Sequence, residues 1–515
     1  MTPPELYGGV AVLDFGGQYA HLICRRIRSL GVFSALLPHD TSLEDLKRAG
    51  VAGVVLSGGP ASVYADGAPR ADPSIFQSEI PLLGICYGYQ LMVKAHGGEV
   101  GRAESREYGK SRIKVVERGG LFDGIGSESL VCWMSHTDSA TEIPRSMTVL
   151  AESESSPYAA VRLSGARQYG VQFHPEVSHT EGGQGILSNF VFGVCGAAKN
   201  WSIEGFLRSS VEGLSGIEGR VLCAVSGGVD SSVTAALLNR AIGDRLTCVF
   251  IDTGLLRLGE RGLVESTLGA ELGARVKVVD ASATFLRALA GVKDPEQKRK
   301  AVGAAFAAVF EDFAKADGPY EYLAQGTLYP DVIESGRSSG PASVIKTHHN
   351  VGGLPASLSM KVVEPLRELY KDEVRELGRL LGLPDKATER HPFPGPGLAV
   401  RVIGEVTEAK LKICRDASHI VEEVLREEGL YSKVWQAFAY VGDDMVTGVM
   451  GDERSLGHQV TVKIVHSVDA MTADWGRVDY SVLERISNRI TNEVDGVVSV
   501  AYSVSSKPPA TIEPQ

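Results

Sequence analysis

Val221-Leu222-Cys223-Ala224-Val225-Ser226-Gly227-Gly228-Val229-Asp230-Ser231-Ser232 decides the fold of the middle of this chain. The apolar run reads as a buried strand, the Ser/Gly stretch as a loop, and the apolar residues 233–238 as the helix that follows. That order sets backbone amides and hydroxyls at a helix N-terminus, a cradle for the phosphates of a nucleotide. No Lys-Ser/Thr pair follows the glycines and no Gly-x-Gly-x-x-Gly occurs, so the loop is neither a Walker A motif nor a dinucleotide fingerprint. A generic Gly-Ser turn is the alternative, and the strand–loop–helix context argues against it.

Short apolar or β-branched runs alternate with helical patterns on either side, at 10–13, 53–56, 81–85 and 247–251. They predict buried parallel strands in α/β layers. With 515 residues the chain is too long for one core. A helix is expected near 186–194, and Asn200-Trp201-Ser202 begins a connecting helical stretch, so a first boundary is placed near residue 200. His391-Pro392-Phe393-Pro394-Gly395-Pro396-Gly397 cannot be helix interior or central strand, because its prolines lack amide donors; it reads as a stiff linker. Beyond it, 434–441, 446–450, 460–466 and 497–504 read as strands and Tyr480–Glu493 as a helix. The expected domains are therefore 1–200, 201–400 and 401–515: an α/β domain, a doubly wound parallel-sheet domain and a small α+β domain.

The 52 Lys+Arg against 63 Asp+Glu give a net charge of −11, which disfavours nucleic acid and anionic membranes as partners. Seven cysteines without a Cys-x-x-Cys pair fit a reduced protein with no zinc site. The start lacks a signal-peptide pattern and no apolar run approaches the length of a membrane span, so a cytoplasmic protein is expected.

A second signature is Gly84-Ile85-Cys86-Tyr87-Gly88. The strand at 81–85 meets a helical pattern from Tyr89, so Cys86 falls on a sharp strand-to-helix turn that its flanking glycines permit. A helix N-terminus favours thiolate, and the Tyr87 amide is placed to stabilise an oxyanion. In Val171-Gln172-Phe173-His174-Pro175-Glu176, the proline biases His174 to extended backbone, where side chains two apart share a face, so Glu176 is positioned to orient His174 as a base. A buried structural cysteine and an unrelated surface His-Pro-Glu are the plain alternative.

Residues 8–195 resemble the class I, triad-type glutamine amidotransferases. The resemblance implies Cys86 as nucleophile, His174 as base and Glu176 as its orienter. Ser57-Gly58-Gly59-Pro60 matches that family's oxyanion loop, implicating the Gly59 amide beside that of Tyr87. Gln90 and Met134-Ser135-His136-Thr137-Asp138 fall where the family binds the amino-acid end of glutamine, implicating Ser135, His136 and Asp138; Thr137 replaces an expected glycine.

Residues 205–400 are similar to the ATP pyrophosphatases, which cleave ATP between the α and β phosphates and form an adenylate. By that likeness Ser226, Gly227, Gly228, Val229, Asp230, Ser231 and Ser232 hold pyrophosphate, Asp230 serves Mg2+ brought with ATP, and Asp252 in Phe250-Ile251-Asp252-Thr253-Gly254 lies where the nucleoside lodges. Gln325-Gly326-Thr327-Leu328-Tyr329-Pro330-Asp331 recurs in that group. Ile345-Lys346-Thr347-His348-His349-Asn350 looks like its lid, with Lys346 directed to phosphate oxygens; the paired histidines invite a metal reading that lacks a third ligand.

Asparagine and NAD synthetases share such a loop. Lys507-Pro508-Pro509-Ala510-Thr511-Ile512-Glu513, taken with 391–397, resembles the glutamine-hydrolysing GMP synthetases, over essentially the whole chain. That family makes GMP from xanthosine monophosphate (XMP), ATP and glutamine, with no organic prosthetic group. Arg299, Pro394, Gly395, Arg454, Gln459, Lys507 and Glu513 match its XMP contacts. Read alone, 298–300 is a solvated helix face and Lys507 a tail charge. The chain departs from the family after Glu513, where Pro514-Gln515 replaces Trp-Glu, and at Leu456, where a tyrosine is usual. The resemblance further implies a homodimer through the C-terminal sheet and a passage for ammonia. Another ammonia-dependent adenylating ligase, or a noncatalytic sensor, are the competing readings.

Overall fold

The computed structural model describes residues 6–336, 360–450, 453–467 and 472–515. They form two compact units, Met1–Phe206 and Leu207–Gln515.

In the first unit the strands are β1 (Val10–Asp14), β2 (Ser34–Pro38), β3 (Gly53–Leu56), β4 (Leu82–Ile85), β5 (Glu99–Val115), β6 (Ser129–Glu142), β7 (Met147–Ser153), β8 (Ala160–Leu163) and β9 (Gln168–Val171). They build one sheet in the order β2-β1-β3-β4-β9-β8-β7-β5-β6. The first five pair in parallel, as the apolar runs at 10–13, 53–56 and 81–85 predict for strands covered on both faces; β2 and β9 were not among the expected strands. The remaining four are antiparallel, a part of the sheet that the α/β reading did not anticipate. The helix expected near 186–194 forms as Gly183–Ser188, continuing into a wider-wound turn over Asn189–Val194.

The second unit opens with β10 (Val221–Val225), β11 (Leu246–Asp252), β12 (Val276–Asp280), β13 (Tyr322–Ala324) and β14 (Lys361–Val363), ordered β12-β11-β10-β13-β14 and parallel throughout. Strand order reverses between β10 and β13, so their C-terminal ends flank a crevice of the kind where open α/β sheets bind ligands. The Ser226–Ser232 loop leaves β10 at that crevice and Gln325 leaves β13 beside it.

After 391–397 come β15 (Gln436–Met450), β16 (Glu453–His466), β17 (Asp474–Trp475) and β18 (Val497–Tyr502), with β16 central. The two strands expected at 434–450 are one strand with a register shift between Val441 and Met445. A 20-residue helix, Glu408–Glu427, escaped the sequence reading, whereas Tyr480–Glu493 is helical as expected. The segment read as a linker runs inside this unit. One core continues across it, from Leu222, Val249 and Phe285 through Leu398, Val402 and Val421 to Ile464 and Val497.

Candidate functional site

Cys86 sits between β4 and the helix Tyr87–Ala95 at φ 51°, ψ −106°, a conformation that costs a side-chain-bearing residue about 1–3 kcal/mol. Its neighbours explain why the turn closes. A Cβ on Gly84 would lie 2.6 Å from Tyr89 Cα, and one on Gly88 2.4 Å from Leu56 O, so only glycine fits at either place. The Cys86 amide donates to Val171 O of β9 at 2.8 Å, tying the elbow to the strand that leads into His174.

His174 Nδ1 lies 2.7 Å from Glu176 Oε1, and both side chains are buried. The ring is braced by Tyr19 edge-on at 5.1 Å, and its backbone by bonds to Trp133 O and from Thr180 Oγ1. Burial opposes charge on His174, but the Glu176 carboxylate and a hydrogen bond with Cys86 outweigh it and hold the imidazole well above its ordinary pKa. The imidazole is thus set to hold a proton.

A cavity of about 760 Å³ opens on these groups. Gly59, Cys86, Gln90, Ser135, His136, Thr137, Asp138 and His174 all line it, so the residues expected from four separate segments do converge. Tyr87 contributes no side chain: its hydroxyl donates to Pro69 O at 2.7 Å, leaving the amide for the expected role. Gln90 Nε2 donates to Asp138 O at 2.5 Å, which fixes the floor of the cavity. The sequence reading missed the loop after β1, where Gly16, Gly17, Gln18 and Tyr19 form another wall, and missed Tyr64, Arg102 and Tyr108. The glycine pair at the end of an apolar strand was the available signal: a Cβ on Gly17 would sit 2.3 Å from Gly58 O.

In the second unit the expected phosphate loop precedes the helix Val229–Ile242. The Ser226 amide donates to Ser231 Oγ at 3.1 Å, and Ser231 Oγ donates to Gly228 O at 3.1 Å, so the hydroxyls shape the loop. Gly227 has φ +77°, and its carbonyl accepts from Arg390 Nη1 at 2.9 Å. Arg390 is itself held by Glu260 at 2.8 Å. Val229 and Ser232 are buried under the helix start. Asp230 is gripped by Lys371 Nζ at 2.6 and 2.7 Å. Asp252 ends β11 and turns the chain by accepting from the Gly254 amide at 3.0 Å. Lys371 and Arg390 are the cations that sequence reasoning missed here. Lys346 and the His348-His349 pair lie outside the described residues. Among the described residues no group of three His, Cys, Asp or Glu is poised to hold a metal.

The expected acceptor residues are only partly gathered. Glu513 accepts from Arg401 Nε at 3.0 Å, Arg401 Nη2 at 2.9 Å and Gln436 Nε2 at 2.6 Å. Arg401 is 1% exposed, stacked between Phe393 and Phe438, with centroid distances of 5.0 and 4.0 Å. Pro394 accepts from the Gly397 amide at 2.9 Å, closing a turn that contains Gly395, and Lys507 pairs with Ala473. Arg454, however, lies opposite Val449 at one end of β16, whereas Gln436 pairs with Val465 near the other. Those eleven residues of strand span on the order of 35 Å, so Arg454 does not reach the Glu513 cluster within this chain. Gln459 lies between them, paired with Ser499.

The 298–300 run is not uniformly a solvated face. Arg299 is surface-placed beside Glu296, but Lys298 is fully buried, donating to Val402 O at 2.6 Å, Ala399 O at 3.3 Å and Gln515 Oε1 at 2.5 Å. Those acceptors come from segments about a hundred residues away or more, which is why a local charge pattern misled.

Among the described residues no helix is long and apolar enough to cross a membrane. The first unit carries a class I glutamine amidotransferase domain: that family matches residues 11–194. A second family, the GMP synthase C-terminal domain, matches residues 423–514. The chain is 51% identical over 506 residues to GMP synthase [glutamine-hydrolyzing] of Aquifex aeolicus (strain VF5), covering 98% of this chain and 99% of that one. It is likewise 51% identical to the enzyme of that name from Carboxydothermus hydrogenoformans, over 98% of this chain and 99% of that one. The chain belongs to the glutamine-hydrolysing GMP synthase family.

Proposed function

We propose that the chain makes GMP from XMP, ATP and glutamine, with Cys86, His174 and Glu176 as a hydrolytic triad. The observation that carries the reading is the 2.7 Å His174–Glu176 contact beside a strained cysteine elbow at a shared cavity. Cys86 attacks the carboxamide carbon, the Gly59 and Tyr87 amides meet the oxyanion, and His174 returns its proton to the departing ammonia. Water then releases glutamate. Gln90, Ser135, His136 and Asp138 hold the amino-acid end of the substrate.

At the second site ATP adenylylates the 2-oxygen of XMP, giving pyrophosphate; ammonia displaces AMP and leaves GMP. Adenylylation turns a poor oxygen leaving group into a good one. The Ser226–Ser232 loop, with Lys371 and Arg390 around it, supports pyrophosphate binding. Mg2+ arrives on the ATP phosphates, and Asp230 is the loop carboxylate that would add a ligand to it. Arg299, Pro394, Gly395, Lys507 and Glu513 are read as acceptor contacts and residues 401–515 as a dimerisation and acceptor-binding region. Exposed Met445, Val449 and Leu456 on the β15–β16 hairpin support a homodimer.

The test is a product assay with Mg2+, ATP, glutamine and XMP, resolving GMP, AMP, ADP and pyrophosphate. GMP with equal AMP and pyrophosphate is expected. ADP in place of AMP, or no GMP with ammonium as well, would overturn the reading.

A further inference from the structure

Glu107 and His136 are directly paired across β5 and β6, just after a register irregularity in β5. His136 lines the cavity in front of Cys86 and is 4% exposed. Its Nε2 lies 3.1 Å from Glu107 Oε2. Its other ring nitrogen, Nδ1, is buried with no hydrogen-bond partner among the described residues. The Glu107 side chain is 9% exposed, and its second oxygen accepts from Ser111 Oγ at 3.0 Å and from the Ser155 hydroxyl. Three donors thus converge on one carboxylate that no step assigned to the triad uses.

We propose that Glu107 is a positioning residue for the glutamine site: by accepting from His136 Nε2 it fixes the ring behind the Ser135–Asp138 segment that lines the cavity. The inference rests on reading the Cys86 cavity as the glutaminase site.

A carboxylate cannot donate, so the proton between the two groups sits on Nε2 while Glu107 is ionised. Burial pushes the Glu107 carboxyl up, but the bonds from His136, Ser155 and Ser111 outweigh that and bring it below its usual range. The ring is thereby held on its own strand, where Ser135, Thr137 and Asp138 line the cavity beside it. Without Glu107 the ring is free to change tautomer or turn, and the cavity loses a fixed contact while the triad stays intact.

The test uses the full-length enzyme and its Glu107→Ala, Glu107→Gln and His136→Ala variants. Glu107→Ala should raise the KM for glutamine by about tenfold while kcat stays within about threefold, the pattern of lost ground-state binding. Glu107→Gln, whose carbonyl still accepts from Nε2, should recover much of that loss. Synthesis from ammonium should not change. Alkylation of Cys86 by iodoacetamide, which has no amino-acid end, should run at the wild-type rate. Alkylation by the glutamine-shaped diazoketone 6-diazo-5-oxo-norleucine should slow by about tenfold. Adding Glu107→Ala to His136→Ala should have no further effect.

An unchanged KM, iodoacetamide labelling slowed in parallel, or additive effects in the double variant would each overturn the proposal. Failure of the glutaminase reading looks different: the wild-type protein itself would neither hydrolyse glutamine nor be labelled at Cys86 by the diazoketone.

Discussion

Lys371 Nζ bridges both carboxylate oxygens of Asp230, at 2.6 and 2.7 Å. The two residues lie 141 positions apart, and both side chains remain over a third exposed. An exposed pair adds little to stability, so its value is to hold a cation at the mouth of the phosphate loop. Lys371→Met and Asp230→Asn should therefore leave thermal unfolding nearly unchanged. Both should lower AMP and pyrophosphate release by about a hundredfold or more with either nitrogen source. ATP cleavage at the wild-type rate would remove them from this role.

Cys86→Ala should abolish GMP formation from glutamine and spare formation from ammonium salts, because the nucleophile and the phosphate loop belong to separate units. Equal loss of both activities would contradict two separate sites.

Gly58 offers a finer version of that experiment. A Cβ there would lie 2.9 Å from His174 Cε1 and 3.6 Å from Cys86 Cβ. Gly58→Ala should push the imidazole out of line and cut glutamine hydrolysis by about a hundredfold, with ammonium-dependent synthesis retained. Wild-type hydrolysis would mean that the ring has room to yield.

Lys298 makes stability depend on alkaline pH. Burial and the nearby Lys410 lower its pKa from 10.5 to about 8, against an opposing pull from Asp443. The unfolded chain binds this proton more tightly, so the charge weighs against folding below about pH 8 and the penalty fades as pH rises toward the ordinary lysine value. The stability of wild type relative to Lys298→Met should thus grow between about pH 8 and 10, read by chemical denaturation at each pH. A difference that is flat or falls would contradict this.

Glu513→Ala would strip the buried Arg401 of its counter-charge. The loss should be about 3 kcal/mol or more in the unfolding of the second unit, with a raised KM for XMP. Unaltered stability would mean that water reaches the guanidinium.

Local rules carried the sequence reading a long way at the two loops. A strand, a small-residue turn and a helix are contiguous in Leu82–Ala95 and in Val221–Ile242, and glycines at 84 and 88 state the crowding directly. The β5–β6 excursion was not legible: Lys110, Arg112 and Lys114 alternate as a solvent face does, but Glu107, Gly109 and Ser111 occupy the face that Ile113 and Val115 continue, so the apolar stripe is too short to mark a core. Nor was the tail. Gln515 meets Lys298 on the helix Pro295–Asp317 and Glu513 meets Arg401, partners 217 and 112 residues away that no local pattern in the tail announces. Lys371 went unnoticed, since nothing near it in sequence announces Asp230.

The core that runs from Leu222 to Val497 without a break at 391–397 bears on how a gene of this kind can be cut. Divided near residue 206, the chain would yield two polypeptides that each keep their own interior. Divided within the proline-rich segment, it would tear one interior in two, baring Leu398, Val402 and Val421 to water on one fragment and Val249 and Phe285 on the other. Separate genes for the two chemistries are physically open to this architecture at the first position and closed to it at the second.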